Sequence, residues 1–399
     1  MKKVYVVGTC DTKQDELLYV RDLVTASGVD AVLVDVATGQ SGGAGDVSPE
    51  VVAAHHPRGA GAVLGLTDRG RAVEAMSMAL EAYLARQSDI GGVIGLGGGG
   101  NTSLVTRAMR ALAVGTPKLM VSTIASGNVA PYVGLSDICM MPAVTDVAGL
   151  NPINRVVLAN AAAAMVGMVR GQPGPIGASA LPAIGLTQFG VTTPCVDQLR
   201  DRLASSYECV VFHATGVGGQ VMEKLLDSSL LSGLLDITTT EVADYLVGGV
   251  LACTEDRFGA LARTRRPCVV SCGALDMVNF GPRVTVPARF ALRRFHVHNA
   301  QVTLMRTTPK ENTRIGEWIA TRLNACGGPL ALVVPEGGVS ALDAPGQPFH
   351  DPKADRALFD ALESNLRTSP SRRLLFSPAH INSESFVDLL SETYAQLAA

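Results

Sequence analysis

Four consecutive glycines, residues 97–100, follow the apolar stretch 93–96 and precede Asn101-Thr102-Ser103, where a helical pattern begins. A buried strand that turns through glycines into a helix directs several backbone N–H groups at one point, an arrangement with which α/β proteins hold phosphate. The spacing from Gly95 to Gly100-Asn101-Thr102 matches the P-loop pattern, except that asparagine replaces the lysine. We therefore predict an anion-binding loop whose lysine is absent or supplied elsewhere. The alternative is a tight turn that needs only small residues.

Polar residues follow other predicted strands. Asp11, Thr12 and Lys13 come after the first strand, and Ser126 and Asn128 come after the strand 118–122. Lys13 is a candidate for the missing P-loop lysine or a solvated helix residue, and Asp11 is a candidate metal ligand or, like Thr12, a helix N-cap. A second glycine turn lies at 216–219. The residues predicted to bind a cofactor are Asp11, Thr12, Lys13, Gly97, Gly98, Gly99, Gly100, Asn101, Thr102, Ser126, Asn128, Gly216, Gly218 and Gly219.

Three side chains in the second half are candidates for catalysis. His213 and Glu336 each stand where a strand meets glycines, a position from which a general acid or base can face a cleft. Glu241 is either catalytic or the acidic residue of a helix start. His296 and His298 lack the helical His-x-x-x-His spacing of a zinc site. We assign no metal site to the chain, and the role of Asp11 as a metal ligand or a helix cap stays open.

These candidates must be positioned by a sheet. Continuous apolar runs such as 4–8, 31–35 and 118–122 alternate with helical patterns, which is typical of a doubly wound parallel sheet covered on both faces. The stretch 170–177 is rich in proline and glycine and is the best linker, whereas 37–49 is either a mobile loop or a plain surface excursion. We predict an α/β fold with two Rossmann-like subdomains, residues 1–175 and 182–399, flanking a cleft. Three strand–loop segments recur in the same order in both halves, including the two glycine turns.

Composition limits the class of protein. The 399 residues are 47% hydrophobic and 17% charged with a net charge of −3, which supports two large cores and gives no electrostatic case for nucleic acid. Eight scattered cysteines without a Cys-x-x-Cys pair indicate free thiols in a reducing compartment. The N-terminus lacks a signal-peptide pattern, and the apolar stretch 156–169 is short for a membrane span. These features predict a soluble cytoplasmic protein without membrane contact.

Five motifs in this order support a family resemblance. The motifs are residues 8–13, 95–102, 213–219, 302–308 and 335–338. Together they resemble the ATP-binding domain family of the tomato mosaic virus resistance protein and its uncharacterised bacterial relatives, over nearly the whole chain. The resemblance implies two α/β subdomains, ATP binding and a homodimer. The plant proteins continue into a barrel-like domain, so a barrel-type function would require a separate partner.

The leading hypothesis is a protein that binds ATP with Mg²⁺ and acts as an ATP-dependent enzyme on a small carbon-chain acid, together with a barrel-type partner. A non-catalytic nucleotide-binding regulatory or interaction protein is the alternative. Hydride transfer is disfavoured because neither glycine turn follows the first strand of its half. A nucleic-acid binder is disfavoured by the acidic balance and an aromatic content of 5%.

Overall fold

The computed structural model of the protein describes residues 2–39, 45–171 and 181–399. The chain divides into two compact units, Met1–Ile176 and Gly177–Ala399, which we call the N-terminal and C-terminal units. The predicted linker 170–177 and the predicted loop 37–49 lie partly outside the described residues. All eight cysteines are free thiols.

The N-terminal unit contains one parallel sheet of five strands in the order β2-β1-β3-β4-β5. The strands β1, β3 and β4 are almost entirely buried, as expected for strands covered on both faces. Within the sheet, Val6 of β1 pairs with Leu33 on one side and Ile94 on the other. The chain therefore winds outward in both directions from β1 and β3. The strands are β1 Lys3–Gly8, β2 Ala31–Asp35, β3 Ile90–Gly97, β4 Lys118–Ser122 and β5 Cys139–Pro142.

Helices cover both faces of this sheet. Its helices are α1 Cys10–Ala26, α2 Pro49–Ala53, α3 Arg69–Leu84, α4 Gly99–Ala111, α5 Ala130–Val133 and α6 Pro152–Arg170. One core lies between the sheet and α3 with α4, and the other lies between the sheet and α1 with α6. Among the described helices, α6 alone has the length and hydropathy to cross a membrane. Its Leu158, Ala161 and Met165 are buried in the second core, as expected for a core helix.

The C-terminal unit contains a parallel sheet of six strands in the order β14-β13-β9-β8-β6-β7 and a small antiparallel sheet, β10-β12-β11, which the sequence analysis did not predict. Helices again pack on both faces of the parallel sheet. The strands are β6 Ala183–Gln188, β7 Glu208–His213, β8 Gly233–Thr238, β9 Cys268–Gly273, β10 Met277–Phe280, β11 Phe295–Asn299, β12 Val302–Arg306, β13 Leu330–Pro335 and β14 Arg372–Ser377. The helices are α7 Thr193–Leu203, α8 Gly218–Asp227, α9 Thr240–Val247, α10 Gly259–Thr264, α11 Pro309–Asn324, α12 Pro352–Asn365 and α13 Glu384–Ala398.

The two strand orders confirm the predicted pair of Rossmann-like α/β subdomains. Counted from each unit's first strand, both sheets follow the order 2-1-3-4-5, and the second adds β14 as a sixth strand. This order makes β8 the counterpart of β3, and β7 the counterpart of β2. The predicted correspondence between the two glycine turns is therefore wrong, because one follows β3 and the other follows β7. The true counterpart of the first glycine turn is the start of α9 after β8.

Candidate functional site

A cavity of about 600 Å³ opens at the carboxyl edge of the N-terminal sheet. Loops that follow β1, β2 and β3 form it, together with the start of α3. The carboxyl ends of β1 and β3 are where the winding of the chain reverses, the usual ligand position in an open α/β sheet. Its lining residues are Thr9, Asp11, Thr12, Lys13, Val36, Thr38, Gly39, Leu66, Thr67, Arg69, Ala72, Val73, Gly98, Gly99, Gly100, Asn101 and Leu104.

The glycines of this region serve two different purposes. A Cβ on Gly95 would lie 2.8 Å from Val105 Cγ1, so Gly95 allows α4 to pack against β3. Gly97 has a φ of +152°, and a Cβ there would lie 2.8 Å from Asn101 Cβ, so the turn itself requires this glycine. A Cβ on Gly99 or Gly100 would have no heavy atom within 4 Å. The fold therefore explains Gly95 and Gly97 but leaves Gly99 and Gly100 unexplained.

The N-terminus of α4 faces the cavity without a protein cap. Gly98 is its N-cap residue in extended conformation, no side chain caps the helix, and its first turn contains no acidic residue. Thr102 N donates to Gly98 O at 2.9 Å, which is the first bond of the α-helical pattern. The N–H groups of the helix residues before Thr102 therefore have no acceptor within the helix. Gly98, Gly99, Gly100 and Asn101 all line the cavity. This end of the helix offers N–H donors and the positive end of its dipole to an anion.

Asn101 and Thr102 have structural roles that the sequence did not indicate. The Asn101 amide donates from Nδ2 to Leu96 O, which ties α4 to the end of β3. The Thr102 hydroxyl is fully buried, donates to Gly98 O at 2.9 Å and lies 2.6 Å from Ser122 Oγ. This hydroxyl is engaged by protein partners and has no exposed surface, which argues against a cofactor contact through the side chain of Thr102.

Two cationic side chains line the cavity. Lys13 Nζ donates to Val147 O, and the helix is kinked at Lys13, whose φ of −139° and ψ of 27° are not helical. Arg69 is exposed and forms no ion pair within the described residues. The sequence analysis missed Arg69, although a signal existed: Arg69 and Arg71 occupy the first turn of α3, where positive charge opposes the helix dipole.

The loops after β1 and β2 are held together beneath the cavity by Asp35. Its Oδ1 accepts from Cys10 N and Ala37 N, both at 2.9 Å, and burial raises the pKa of Asp35 above its usual range. The N-cap of α1 is Thr9, so the prediction that Asp11 or Thr12 caps this helix is wrong. Thr12 Oγ1 lies 2.9 Å from Thr9 Oγ1. Asp11 and Thr12 both line the cavity, Thr12 with its hydroxyl bonded to Thr9.

The other predicted residues of this unit lie outside the cavity. Ser126 lines a neighbouring cavity of about 430 Å³. Asn128 lines neither cavity; its Oδ1 accepts from Ala130 N at 3.2 Å at the start of α5. In this structure Asn128 therefore acts as a turn residue, and its contact with a cofactor stays a prediction.

In the C-terminal unit, the side-chain carboxylate of Glu241 occupies the glycine turn at residues 216–219. Glu241 Oε1 accepts from Gly216 N at 2.8 Å and from Gly219 N at 3.2 Å. Glu241 is fully buried, and its Oε2 pairs with Arg257 Nε at 3.2 Å. A Cβ on Gly218 would overlap His213 O, so packing explains that glycine. The predicted cofactor role of Gly216, Gly218 and Gly219 and the catalytic role of Glu241 are therefore not supported: the anion at this turn is internal and inaccessible.

Arg257 is the centre of a buried charged network. It also pairs with Glu223 at 2.8 Å and with Asp236 at 2.7 Å. Burial alone would lower the pKa of Arg257, but the three carboxylates raise it well above its usual value, so the guanidinium stays charged. Desolvation raises the pKa of Glu223. A network in which every member is buried and paired stabilises the fold and is poorly placed for contact with a substrate.

His213 and Glu336 do not form a common site. His213 ends the edge strand β7, is exposed, and stacks on Phe189 at 5.4 Å between ring centroids. Glu336 follows β13, four strands away in the sheet, a separation of roughly 19 Å at the usual strand spacing. Neither lines the N-terminal cavity.

Glu336 borders a smaller cavity of about 220 Å³ within the C-terminal unit. Arg356 lies 3.6 Å from Glu336, and Asp343 and Asp355 also line the cavity. Buried Arg306 forms ion pairs with both aspartates, at 3.5 Å from Asp343 and 2.5 Å from Asp355. Burial raises the pKa of Asp343 to about 6 and that of Asp355 to about 7. The described residues contain no group of three or more histidine, cysteine or acidic side chains arranged to hold a metal ion.

Two family models cover nearly the whole chain. Residues 2–174 match the N-terminal domain, and residues 181–398 match the C-terminal domain, of the uncharacterised protein family UPF0261. A UPF0261 protein of Rhizobium meliloti is 55% identical over 398 residues and covers 100% of both chains. One from Mesorhizobium japonicum is 56% identical over 97% of each chain. The ToMV resistance protein Tm-1(GCR237) of Solanum lycopersicum is 42% identical over 99% of this chain, which spans 56% of the tomato protein.

Proposed function

The chain belongs to the UPF0261 family, and we propose that its N-terminal unit binds ATP with Mg²⁺ in the cavity above β1 and β3. The observation that carries this proposal is the pair Gly99 and Gly100. Their lack of side chains serves no packing contact and no positive φ, yet both line the cavity at an uncapped helix start. Close approach of a ligand to the backbone is the remaining reason for glycine there.

The charges of the cavity suit a polyphosphate. The first amides of α4 bind phosphate oxygens, while Arg69 supplies the mobile positive charge that the missing P-loop lysine would provide. Lys13, tied to Val147 O, contributes a fixed positive charge. Asp11 faces the same space and holds Mg²⁺ through water, the metal being bound chiefly by the phosphates.

The remaining walls suit a nucleoside. Leu66, Val73 and Leu104 are apolar and line the same cavity, giving a surface on which a base can stack. Thr38 and Thr67 offer hydroxyls for a ribose. A cavity of about 600 Å³ falls in the usual range for a small-molecule site.

We further propose an ATP-dependent enzyme, for which the sequence suggests a small carbon-chain acid as substrate and a barrel-type partner, in a cytoplasmic homodimer. The alternative is a nucleotide-binding regulatory protein without catalysis. One observation bears on this alternative: within the C-terminal unit, Glu241 is buried against its own glycine turn, and His213 and Glu336 lie four strands apart in the sheet.

Calorimetry with Mg-ATP tests the proposal. We expect saturable binding of one nucleotide per chain. EDTA should weaken the binding of ATP, and ADP should bind with lower affinity than ATP. The absence of heat and of any thermal shift with either nucleotide would refute it. Release of ADP, AMP or phosphate on longer incubation separates the enzyme from the regulatory alternative.

A further inference from the structure

A second cavity of the N-terminal unit adjoins the nucleotide cavity. It has a volume of about 430 Å³, and we call it the acceptor cavity. Its lining residues are Thr123, Ser126, Pro142, Ala143, Val144, Thr145 and Asp146, from the loops that follow β4 and β5. These loops lie at the same carboxyl edge of the sheet as the glycine turn.

The two cavities share two borders. At the first, Thr123 N donates to Gly97 O at 3.2 Å, and Thr123 Oγ1 lies 3.6 Å from the position of a Cβ on Gly98. At the second, Lys13 of the nucleotide cavity donates to the carbonyl of Val147, next to Asp146 of the acceptor cavity. A ligand in the acceptor cavity thus lies beside the helix start at which phosphate is proposed to bind.

The wall of the acceptor cavity contains a strained turn. Thr145 N donates to Ala143 O at 2.7 Å, which closes a three-residue γ-turn around Val144 with a φ of +68°. Positive φ is strongly unfavourable for a β-branched residue, and this form of γ-turn is rare. Val144 is nevertheless 75% exposed. Core packing does not account for this conformation of Val144, which lines the acceptor cavity.

The polar groups of the acceptor cavity suit an uncharged alcohol. Thr123, Ser126 and Thr145 present hydroxyls, and Asp146 is the one charged residue among those that line it. Asp146 Oδ1 accepts from Val147 N at 2.8 Å, which orients the carboxylate, while its Oδ2 makes no hydrogen bond within the described residues. A carboxylate ligand would be repelled by Asp146, whereas hydroxyl groups can donate to it.

We propose that the acceptor cavity binds a small polyhydroxyl alcohol, to which the N-terminal unit transfers the γ-phosphoryl group of ATP with Asp146 as the general base. This proposal rests on the proposed nucleotide site and replaces the acid substrate expected from the sequence. The alcohol oxygen forms a bond to the γ-phosphorus as the bond to the β–γ bridging oxygen breaks. ADP leaves with that electron pair, and the alcohol proton passes to Asp146 and then to water.

Full-length protein with Mg-ATP is tested with glycerol, erythritol and xylitol as probes, and with glycerate as the charged counterpart of glycerol. We expect at least one polyol to raise ADP release about tenfold or more, with a polyol phosphate detected by mass spectrometry, while glycerate does not. Asp146→Asn should lower the stimulated rate by about 100-fold or more, the usual contribution of a general base. Ser126→Ala should raise the KM for the polyol with little change in kcat.

Asp201→Asn, at an exposed aspartate on α7 of the other unit, is the matched control and should behave as wild type. ATP affinity measured by calorimetry should be unchanged in Asp146→Asn. If Mg-ATP binds but no polyol is phosphorylated, if glycerate stimulates equally, or if Asp146→Asn retains the full rate, the acceptor assignment is overturned alone. If Mg-ATP does not bind at all, the nucleotide proposal fails and this one fails with it.

Discussion

Replacement of Gly99 by alanine should weaken nucleotide binding without weakening the fold. The added methyl group has no heavy atom within 4 Å to clash with, and alanine favours a helix by about 0.5–1 kcal/mol over glycine. The same methyl group projects into the space from which a phosphate would approach the amides of α4. Loss of one charge-assisted hydrogen bond costs about 1.5–3 kcal/mol. The affinity for Mg-ATP should therefore fall by roughly 10- to 150-fold.

Titration calorimetry measures this affinity, and scanning calorimetry measures the stability of the same variant. Gly167→Ala is the matched control, because Gly167 is an exposed glycine within α6 that also has no heavy atom within 4 Å of its Cβ position. The control should be as stable as Gly99→Ala or more so, and should bind ATP as wild type does. The reasoning is refuted if Gly99→Ala binds Mg-ATP normally, or if it lowers stability relative to wild type.

Three further predictions follow from the charged groups. Arg69→Gln should lower the affinity for Mg-ATP by about tenfold and reduce its dependence on salt, with partial recovery in Arg69→Lys; equal affinity in all three proteins would exclude Arg69 from the site. Glu241→Ala should destabilise the C-terminal unit by about 3–5 kcal/mol, since it leaves buried partners unpaired, without altering ATP affinity. The single tryptophan, Trp318, lies in α11, so its fluorescence during urea denaturation reports this unit. Burial raises the pKa of Asp355 to about 7, so the folded protein keeps a proton that the unfolded chain has lost above about pH 4. The stability of the C-terminal unit should thus fall as pH rises from about 4 to 7, by at most about 1.4 kcal/mol per pH unit from this group, and less steeply in Asp355→Asn; an equally steep fall in this variant would contradict the assignment.

The sheets were predictable because their signal is local. Apolar runs such as the one through Val6 mark strands buried on both faces, and alternation with helical patterns implies parallel pairing. Adjacent parallel strands then bring their carboxyl ends together, which is why Asp11, Lys13 and the first glycine turn line one cavity. The nucleotide itself stays a prediction from these residues.

The contacts that the sequence did not reveal depend on strand order and on long-range pairing. Arg69 reaches the cavity from the first turn of α3. The only local signal there is a positive charge that opposes the helix dipole, and nothing in the neighbouring sequence relates Arg69 to residues 97–100. Glu241 looks like an ordinary acidic residue in a first helical turn, yet its partners are the amides of Gly216 and Gly219, which precede it by more than 20 residues. The two glycine turns resemble each other in composition, and only the order of the strands shows that they are not equivalent.

The internal carboxylate of Glu241 marks a difference between the two glycine turns. In the C-terminal unit the turn is stabilised by an anion of the chain itself. The uncapped helix of the N-terminal unit would gain about 2.7 kcal/mol from a ligand present at 100 times its Kd, and nothing when that ligand is exhausted. Under the proposed nucleotide binding, loss of ATP would therefore make the N-terminal unit the first part of the chain to become sensitive to proteases.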